Sequence, residues 1–374
     1  MKRFLLPLLV LAGMLQNVRL ADAQASKTVR RTAPVTRRVV RRVTPPTVDP
    51  TLGDNVDGED LAVRRAAVEA LGMQPGSIVV VDPGNGRVLS MVNQKLALQS
   101  GFIPCSTIKL VTALAALSEH VVERDTAIHL SRYSSFNLTT AIAHSNNNYF
   151  GVLGTRLGFE RVNRYAQMLG LGEKAGLDIP GEEAGTIPSA PPRGGGMVLM
   201  TAYGEGFQMT PLELAGLVSA IANNGTLYYL QYPRTEEEIE HLQPKVKRTL
   251  DLAPTSIPDL KIGMRGAVDY GTATRANYDP NEPIFGKTGT CTDFRAGSHM
   301  GWFGSFIDQG PRQLVVVVML TSPNKAVSGP VASGVAGAFY RNLSAERYFA
   351  STSAAPKKSD LPEIISTTPT CCAR

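Results

Sequence analysis

The chain has 374 residues, of which 43% are hydrophobic and 19% charged, and these ordinary globular proportions exclude a wholly disordered chain or a collagen. Four cysteines are too few to staple a small disulfide fold together. The formal net charge is +6. Residues 1–49 hold ten Lys or Arg against two Asp, so the rest of the chain is slightly acidic and no nucleic-acid partner is expected.

The first 25 residues have the pattern of a secretory signal peptide. Lys2 and Arg3 precede an apolar run, Phe4–Leu15, and Ala23–Ala25 forms a small-x-small cleavage site. The run is shorter than the roughly 20 residues of a spanning helix, and a multi-span membrane protein is excluded for the same reason. We therefore expect an exported protein of the periplasm or cell envelope, with an uncleaved membrane anchor as the alternative.

Two low-complexity segments, predicted to be disordered, flank the remaining chain. Residues 26–58 are interpreted as a Pro-containing linker, in which Ser26–Asp49 carries seven basic residues and no aromatic residue. Its functional alternative is an arm attracted to an anionic membrane or a cell-wall polymer. Residues 350–374 form a tail rich in Ser, Thr, Ala and Pro. The folded domain is expected over residues 59–349.

Within residues 59–349, apolar periodicity predicts strands at both ends and helices between them. Leu61–Leu71 is predicted to be an amphipathic helix, and the turn Pro83–Gly86 between two apolar runs predicts a β-hairpin. The further predicted elements are helices over Ser106–Leu117, Leu138–Ala143, Leu212–Ala222 and Val331–Leu343, and strands over Trp302–Ile307 and Leu314–Leu320. This order favours an α+β fold over alternating βαβ units.

The first candidate for chemistry is Ser106, which opens a predicted helix three residues before Lys109. Positions i and i+3 share a helix face, so the lysine amine can reach the hydroxyl. A neutral lysine can be the base that a serine nucleophile needs. A Ser-x-x-Lys match is weak alone, because about one is expected by chance in such a chain. A second match occurs at Ser322–Lys325.

A rarer pattern is the run Lys287, Thr288, Gly289 and Thr290, which follows a predicted strand at Phe285–Gly286. A strand edge with these residues can pair with an extended peptide, and its Lys and Thr side chains can hold a carboxylate. An exposed turn is the alternative interpretation.

A third pattern, Ser-x-Asn, occurs at Ser135–Asn137 and again at Ser145–Asn147. The second is favoured because it follows the predicted helix Leu138–Ala143 and precedes Tyr149, which places it on a turn between helices. Ser135 remains the alternative. No group of His, Cys and carboxylate residues has metal-binding spacing, so neither a metal nor a cofactor is expected.

The order Ser-x-x-Lys, Ser-x-Asn, Lys-Thr-Gly is the motif set of serine acyl transfer in penicillin-binding proteins and serine β-lactamases. The chain resembles the transpeptidase domain of class B penicillin-binding proteins over most of residues 59–349. Further similar stretches are Ser77–Met91, Ala141–Phe150, Leu177–Glu182, Gly204–Gly206, Met209–Leu212 and Gly301–Gly304. The resemblance implies an antiparallel sheet flanked by helices, with an all-helical subdomain. Cys105 and Glu205 depart from it, since they stand where the family usually has Gly and Gln.

The resemblance also implies catalytic residues. Ser106 would be the nucleophile, Lys109 its base, and Ser145 the relay of a proton to the leaving amine. Backbone N–H groups of Ser106 and Thr290 would form the oxyanion hole. Partial desolvation and a nearby Lys287 would lower the pKa of Lys109, as a base requires.

The implied substrate-binding residues follow the same motifs. Asn147 would bind the substrate amide, and Lys287 would hold a positive field. Thr288 and Thr290 would bind the terminal carboxylate, with Gly289 between them on the strand.

The activity implied is a D,D-transpeptidase acting on D-Ala-D-Ala stem peptides of peptidoglycan, acylated by β-lactams, with carboxypeptidase activity as a side reaction. The alternatives are a serine β-lactamase and a non-turnover β-lactam sensor. Against efficient hydrolysis, the chain lacks a Glu-x-x-Leu-Asn stretch, and Asn147 stands where class D enzymes carry Val. Against a sensor, no spanning helix follows the N-terminal segment.

The resemblance finally implies a disulfide between Cys105 and Cys291, because class A carbapenemases bridge matching positions. In this architecture the start of the nucleophile's helix and the Lys-Thr-Gly strand face each other, and an exported protein can keep the bridge. Two buried free thiols are the alternative.

Overall fold

The computed structural model describes residues 49–308, 312–323 and 327–350. The predicted signal peptide, most of the predicted linker and the tail after residue 350 lie outside these ranges, as does Lys325 of the second Ser-x-x-Lys match. Among the helices of the described ranges, none combines the length and the hydropathy required to cross a bilayer.

Strands and helices alternate irregularly along the described ranges. The strands are β1 (Gly76–Val81), β2 (Val88–Val92), β3 (Ile128–Ser131), β4 (Ser134–Phe136), β5 (Thr226–Tyr228), β6 (Val246–Thr249), β7 (Ile284–Asp293), β8 (Ser298–Ile307) and β9 (Leu314–Ser322). The helices are α1 (Leu61–Leu71), α2 (Gln94–Ala97), α3 (Lys109–Ser118), α4 (Leu138–Ala143), α5 (Asn147–Leu157), α6 (Phe159–Met168), α7 (Gly196–Tyr203), α8 (Pro211–Ala222), α9 (Glu236–Glu240), α10 (Ser256–Asp269) and α11 (Gly329–Ala345). Short 3₁₀ turns occur at Cys105–Ile108 and Thr274–Ala276.

The main sheet has five strands in the order β2-β1-β9-β8-β7, and every neighbouring pair is antiparallel. Its strands come from both ends of the domain, which confirms the predicted α+β class. The nearly unbroken valine run of β9 is buried between β1 and β8. Strand β7, which carries the Lys-Thr-Gly motif, lies at one edge of this sheet.

Alternate residues of the central strands face two different cores, as the two-residue period of a strand requires. Val79 and Val317 pack into the larger core, which contains Leu214 of α8 and the interior of the helical part. Val80 and Val316 pack into the smaller core, with residues of α1 and α11 such as Phe339. Helices therefore cover both faces of the sheet.

The helical part is built around α3, whose residues Lys109–Leu117 are all buried. Helices α5, α6, α7 and α10 pack on α3, and α4 packs on α10. The helical part meets the sheet where the 3₁₀ turn Cys105–Ile108 lies against β7. This contact brings the first and third motifs together.

Two expected boundaries are wrong. The helix expected from Ser106 starts at Lys109, because Cys105 has a left-handed φ of 52° and residues 105–108 form a tighter 3₁₀ turn. The linker expected to run to residue 58 ends earlier. The Asp54 carboxylate pairs with Arg64 at 2.7 Å and accepts the backbone N–H groups of Asn93 and Gln94. A buried, ion-paired carboxylate belongs to the folded domain.

Candidate active site

The 3₁₀ turn before α3 places Ser106 against Lys109. Residues i and i+3 eclipse each other in a 3₁₀ helix, and Lys109 Nζ lies 3.0 Å from Ser106 Oγ. Lys109 is fully buried. The structure thus brings the first two predicted residues into hydrogen-bonding contact.

Ser145 lies in the turn between α4 and α5, with a left-handed φ of 55°. The Asn146 side chain caps α5 by accepting the N–H of Tyr149 at 2.9 Å, which starts the new helix directly after the turn. Lys109 Nζ donates to Ser145 O at 2.8 Å and lies 3.0 Å from Ser145 Oγ. The alternative, Ser135, pairs with His129 in the β3–β4 hairpin. The structure therefore brings Ser145 to Lys109.

Lys287 reaches the same hydroxyl from the opposite side. Its Nζ donates to Ser145 Oγ at 2.8 Å and to Thr288 O at 2.8 Å. Within the described ranges, neither Lys287 nor Lys109 forms a salt bridge. Ser145 consequently lies between two buried amines.

Burial changes the protonation of both lysines. Desolvation, together with the nearby positive charge of Lys287, lowers the pKa of Lys109 from 10.5 to about 6. Desolvation also lowers the pKa of Lys287, to about 7. At neutral pH Lys109 is then mainly neutral, which is the state that can accept a proton from a serine hydroxyl.

Asn147, the first residue of α5, bonds at both ends of its amide. Its Oδ1 accepts from Lys109 Nζ at 2.5 Å, and its Nδ2 donates to Tyr203 Oη at 3.0 Å. The ring of Phe150, one turn further along α5, lies 5.6 Å from Lys109 Nζ. Asn147 therefore lies beside the candidate base.

The Lys-Thr-Gly motif runs along the edge strand β7. The Thr288 and Thr272 hydroxyls share a hydrogen bond of 2.6 Å. Thr290 Oγ1 accepts the backbone N–H of Gly329 at 2.8 Å, which leaves its own hydrogen available to another acceptor. A Cβ on Gly289 would lie 3.1 Å from the carbonyl oxygen of Pro104, so this glycine lets β7 approach the nucleophile turn.

A disulfide joins Cys105 to Cys291, with 5.5 Å between the two Cα atoms. This is the pairing expected from the resemblance. It connects the residue before Ser106 with the residue after Thr290, so it crosses the contact between the nucleophile turn and β7.

Three residues outside the predicted motifs also contact this site. The Ala202 carbonyl lies 3.5 Å from Ser106 Oγ, Tyr203 bonds to Asn147, and Thr272 bonds to Thr288. The local sequence signal for Tyr203 is its position directly before the similar stretch Gly204–Gly206. Nothing in the local sequence points to Thr272, because its contact exists only in the folded chain.

Known proteins match the same part of the chain. The family model described as penicillin binding protein transpeptidase domain matches residues 76–341. Stage V sporulation protein D of Bacillus subtilis is 29% identical over 310 residues, covering 73% of this chain and 47% of that protein. A peptidoglycan D,D-transpeptidase MrdA of Haemophilus influenzae is 24% identical and covers 70% of this chain and 52% of its own length. The chain thus spans about half the length of these curated relatives.

Solved structures show the same fold. The transpeptidase domain of Burkholderia pseudomallei penicillin-binding protein 3 superposes with a TM-score of 0.66 at 21% identity, covering 78% of this chain and 96% of that one. Pseudomonas aeruginosa PBP2 superposes with a TM-score of 0.64 at 24% identity and covers 78% of each chain. The family match covers well over half of the chain and includes all three motifs. This chain therefore belongs to the penicillin-binding protein transpeptidase-domain family.

Proposed function

We propose that the protein is a serine-type D,D-transpeptidase that acts on D-Ala-D-Ala stem peptides of peptidoglycan and is acylated by β-lactams. The observation that carries the proposal is the buried Lys109 amine, which lies 3.0 Å from both Ser106 Oγ and Ser145 Oγ. A base with its pKa lowered to about 6, in contact with two serines, suits proton transfer at neutral pH.

In the first step, Ser106 Oγ attacks the carbonyl carbon of the penultimate D-Ala while its proton moves to Lys109 Nζ. The negative charge that develops on the carbonyl oxygen is stabilised by the backbone N–H groups of Ser106 and Thr290, each contributing about 3 kcal/mol. The disulfide supports this step, since it holds the nucleophile turn against β7.

In the second step, the tetrahedral intermediate collapses and the C–N bond to the terminal D-Ala breaks. Lys109 Nζ returns its proton through Ser145 Oγ to the leaving amine, and Ser106 becomes the acyl-enzyme. During this relay Lys287 Nζ donates to Ser145 Oγ at 2.8 Å and so keeps one lone pair of that oxygen turned toward Lys287. An acceptor amine then attacks the ester by the reverse route, and water in its place gives carboxypeptidase activity.

Residues of the second and third motifs would bind the substrate. One N–H of the Asn147 amide is committed to Tyr203, and the other suits a substrate carbonyl oxygen. The Thr290 hydroxyl hydrogen suits the terminal carboxylate, assisted by Thr288 and the positive charge of Lys287.

The β-lactamase alternative needs a group that activates a deacylating water. The carboxylate of Glu182 accepts the N–H groups of Gly176 and Asp178 within its own loop. The buried carboxylate of Glu213 accepts three backbone N–H groups, from Gly172, Gly185 and Thr210. Both carboxylates are buried and held by backbone N–H groups, which supports a long-lived acyl-enzyme.

The test is labelling of the purified full chain with a fluorescent penicillin, followed by peptide mapping. We expect one adduct on Ser106 and none in Ser106→Ala, and we expect release of D-Ala from a stem pentapeptide by the wild type alone. Ser322→Ala, which removes the second Ser-x-x-Lys serine, is the control and retains labelling. An adduct on Ser322, or no adduct, would contradict the proposal.

We also propose that the protein is exported and that its basic segment, residues 26–49, associates with anionic surfaces. The support is its seven basic residues, each attracted to a negative membrane and screened by salt. Deleting residues 26–49 is expected to leave penicillin acylation unchanged and to weaken sedimentation with phosphatidylglycerol vesicles at low salt. Equal sedimentation of both chains would reject the association.

A further inference from the structure

Tyr203, the last residue of α7, reaches the candidate site although it belongs to none of the three motifs. Its Oη accepts a hydrogen bond from Asn147 Nδ2 at 3.0 Å, and Oδ1 of the same amide accepts from Lys109 Nζ at 2.5 Å. Tyr203 is 39% exposed as a residue, so it lies at the surface of the site. A chain of two hydrogen bonds therefore connects Tyr203 with the candidate base.

The position of Tyr203 is set by close packing of α7. Thr201 Oγ1 donates to the Met197 carbonyl of its own helix at 2.6 Å and also lies 3.1 Å from the carbonyl oxygen of Phe150 on α5. Thr112 Oγ1 on α3 lies 3.3 Å from the carbonyl oxygen of Thr201. A Cβ on Gly154 of α5 would lie 2.1 Å from Thr201 Oγ1, so only glycine permits this approach. Helix α7 is thus held against the two helices that carry Asn147 and Lys109.

The residues on either side of Tyr203 contact the nucleophile turn. The Ala202 carbonyl lies 3.5 Å from Ser106 Oγ. Gly204 ends α7 with a left-handed φ of 76°, and a Cβ there would lie 2.6 Å from Pro104 Cγ. The backbone of Tyr203 is consequently held between two contacts to residues 104–106, which places its side chain beside Asn147.

We propose that Tyr203 is a positioning residue, which fixes the rotamer of Asn147 so that Oδ1 stays on Lys109 and one amide N–H stays free for the substrate carbonyl. The inference rests on the acyl-transfer function proposed above. A partly exposed asparagine without the tyrosine hydroxyl would sample other rotamers, and each of these takes an acceptor away from the lysine. Tyr203 acts through Asn147 and does not touch the reacting atoms.

The decisive variant is Tyr203→Phe in the full chain, which removes only the hydroxyl. We expect the second-order rate of acylation by a fluorescent penicillin to fall about three- to tenfold, the value of one hydrogen bond. The acid limb of its pH profile is expected to move to lower pH, because the protonated amine of Lys109 loses a fixed acceptor. Among the described residues, the charged group that acts on the Lys109 amine is Lys287. The other neighbours of this amine are Ser106, Ser145, Asn147 and the Phe150 ring.

The matched control is Tyr149→Phe, the same chemical change two residues from Asn147 on α5. The Tyr149 hydroxyl is buried and has no hydrogen-bond partner among the described residues, so its loss is expected to change acylation less than about twofold. A second control combines Tyr203→Phe with Asn147→Ala. If Tyr203 acts through Asn147, removing its hydroxyl slows the Asn147→Ala enzyme no further.

Three results would overturn the inference in a Tyr203→Phe protein that melts like the wild type: an unchanged acylation rate, an unshifted pH profile, or a full additional loss in the Asn147→Ala background. In each of these the wild type is still labelled at Ser106, so the proposed function survives. A wild type without label at Ser106 would overturn both proposals together.

Discussion

At the scale of single residues, the unusual feature is two buried lysines that share one serine hydroxyl. Lys109 and Lys287 are both fully buried, and the like charge of Lys287 disfavours protonation of Lys109. The arrangement costs folding free energy, because an amine that is charged in the unfolded chain must give up its hydration or its proton. The same desolvation lowers the pKa of Lys109 to about 6, which leaves the amine mainly neutral at neutral pH.

The first prediction concerns this coupling. Acylation of the wild type is expected to rise with pH through an apparent pKa of about 6, as Lys109 loses its proton. In Lys287→Gln the neighbouring positive charge is absent, so the pKa of Lys109 rises and the acid limb moves to higher pH. The measurement is the second-order acylation rate from acidic to alkaline pH. A limb at the same pH in both proteins would show that Lys287 does not act on Lys109.

The second prediction concerns stability. Lys109→Met is expected to abolish acylation but to raise the free energy of unfolding at pH 7 by at least about 2 kcal/mol. Between the folded pKa of about 6 and the ordinary value of 10.5, the wild type takes up a proton on unfolding, so its stability rises with pH across this window. The difference in free energy of unfolding between Lys109→Met and the wild type therefore decreases as the pH approaches 10.

Urea unfolding at several pH values measures this difference. Lys95→Met, at an exposed position of α2, is the control and is expected to change stability by less than about 0.5 kcal/mol. A Lys109→Met protein less stable than the wild type at pH 7 would contradict the account of the buried amine.

At the scale of elements, the site depends on how closely α7 and β7 approach the nucleophile turn. The third prediction tests α7. Gly154→Ala would place a Cβ 2.1 Å from Thr201 Oγ1, so α7 must shift, at a cost of about 1–3 kcal/mol. Because Ala202 and Tyr203 move with α7, acylation is expected to slow as well.

Gly216→Ala on α8 is the matched control, since its Cβ would meet only Leu227 Cδ1 at 3.6 Å. It is expected to keep the acylation rate and to gain up to about 1 kcal/mol from helix propensity. Thermal melts and labelling rates of both variants check the pair. Equal stability of the two alanine variants would contradict the packing argument.

The fourth prediction tests the contact with β7. The Cys105–Cys291 bridge closes a loop over a sequence separation of 186 residues, and its loss is expected to cost up to about 5 kcal/mol in the chain-entropy model. Reduction is also expected to slow acylation, because the bridge then no longer joins the nucleophile turn to β7, and the N–H groups of Ser106 and Thr290 proposed for the oxyanion hole lie on these two segments. Melting curves and labelling rates with and without reductant measure both effects, after peptide mapping of the oxidised protein. Free Cys105 in that map would defeat the prediction.

At the scale of the whole molecule, the property to be predicted is the lifetime of the acyl-enzyme. The fifth prediction is that the penicilloyl enzyme persists for minutes or longer, because the buried carboxylates of Glu182 and Glu213 are engaged with backbone N–H groups. The decay of fluorescent label and the hydrolysis of nitrocefin measure it. Steady hydrolysis of nitrocefin at tens of turnovers per second would contradict this prediction and would indicate a serine β-lactamase instead.

Features that depend on neighbours along the chain could be predicted from the amino-acid sequence. The valine run of Leu314–Leu320 specified a buried strand, and the turn Pro83–Gly86 specified the hairpin. The three-residue spacing of Ser106 and Lys109 specified their contact. Each follows from the period of a strand or helix, which is a local property.

Features that join distant segments could not be predicted, because they exist only in the folded chain. The choice of Ser145 over Ser135 and the contact of Tyr203 with Asn147 each bring together side chains from separate elements. The attachment of Asp54 to the domain depends on backbone N–H groups some forty residues further along the chain. The low pKa of Lys109 depends on burial and on Lys287, which lies far away in sequence. Burial and the proximity of charges depend on residues from all parts of the folded chain, so the local periodicity of the sequence does not reveal them.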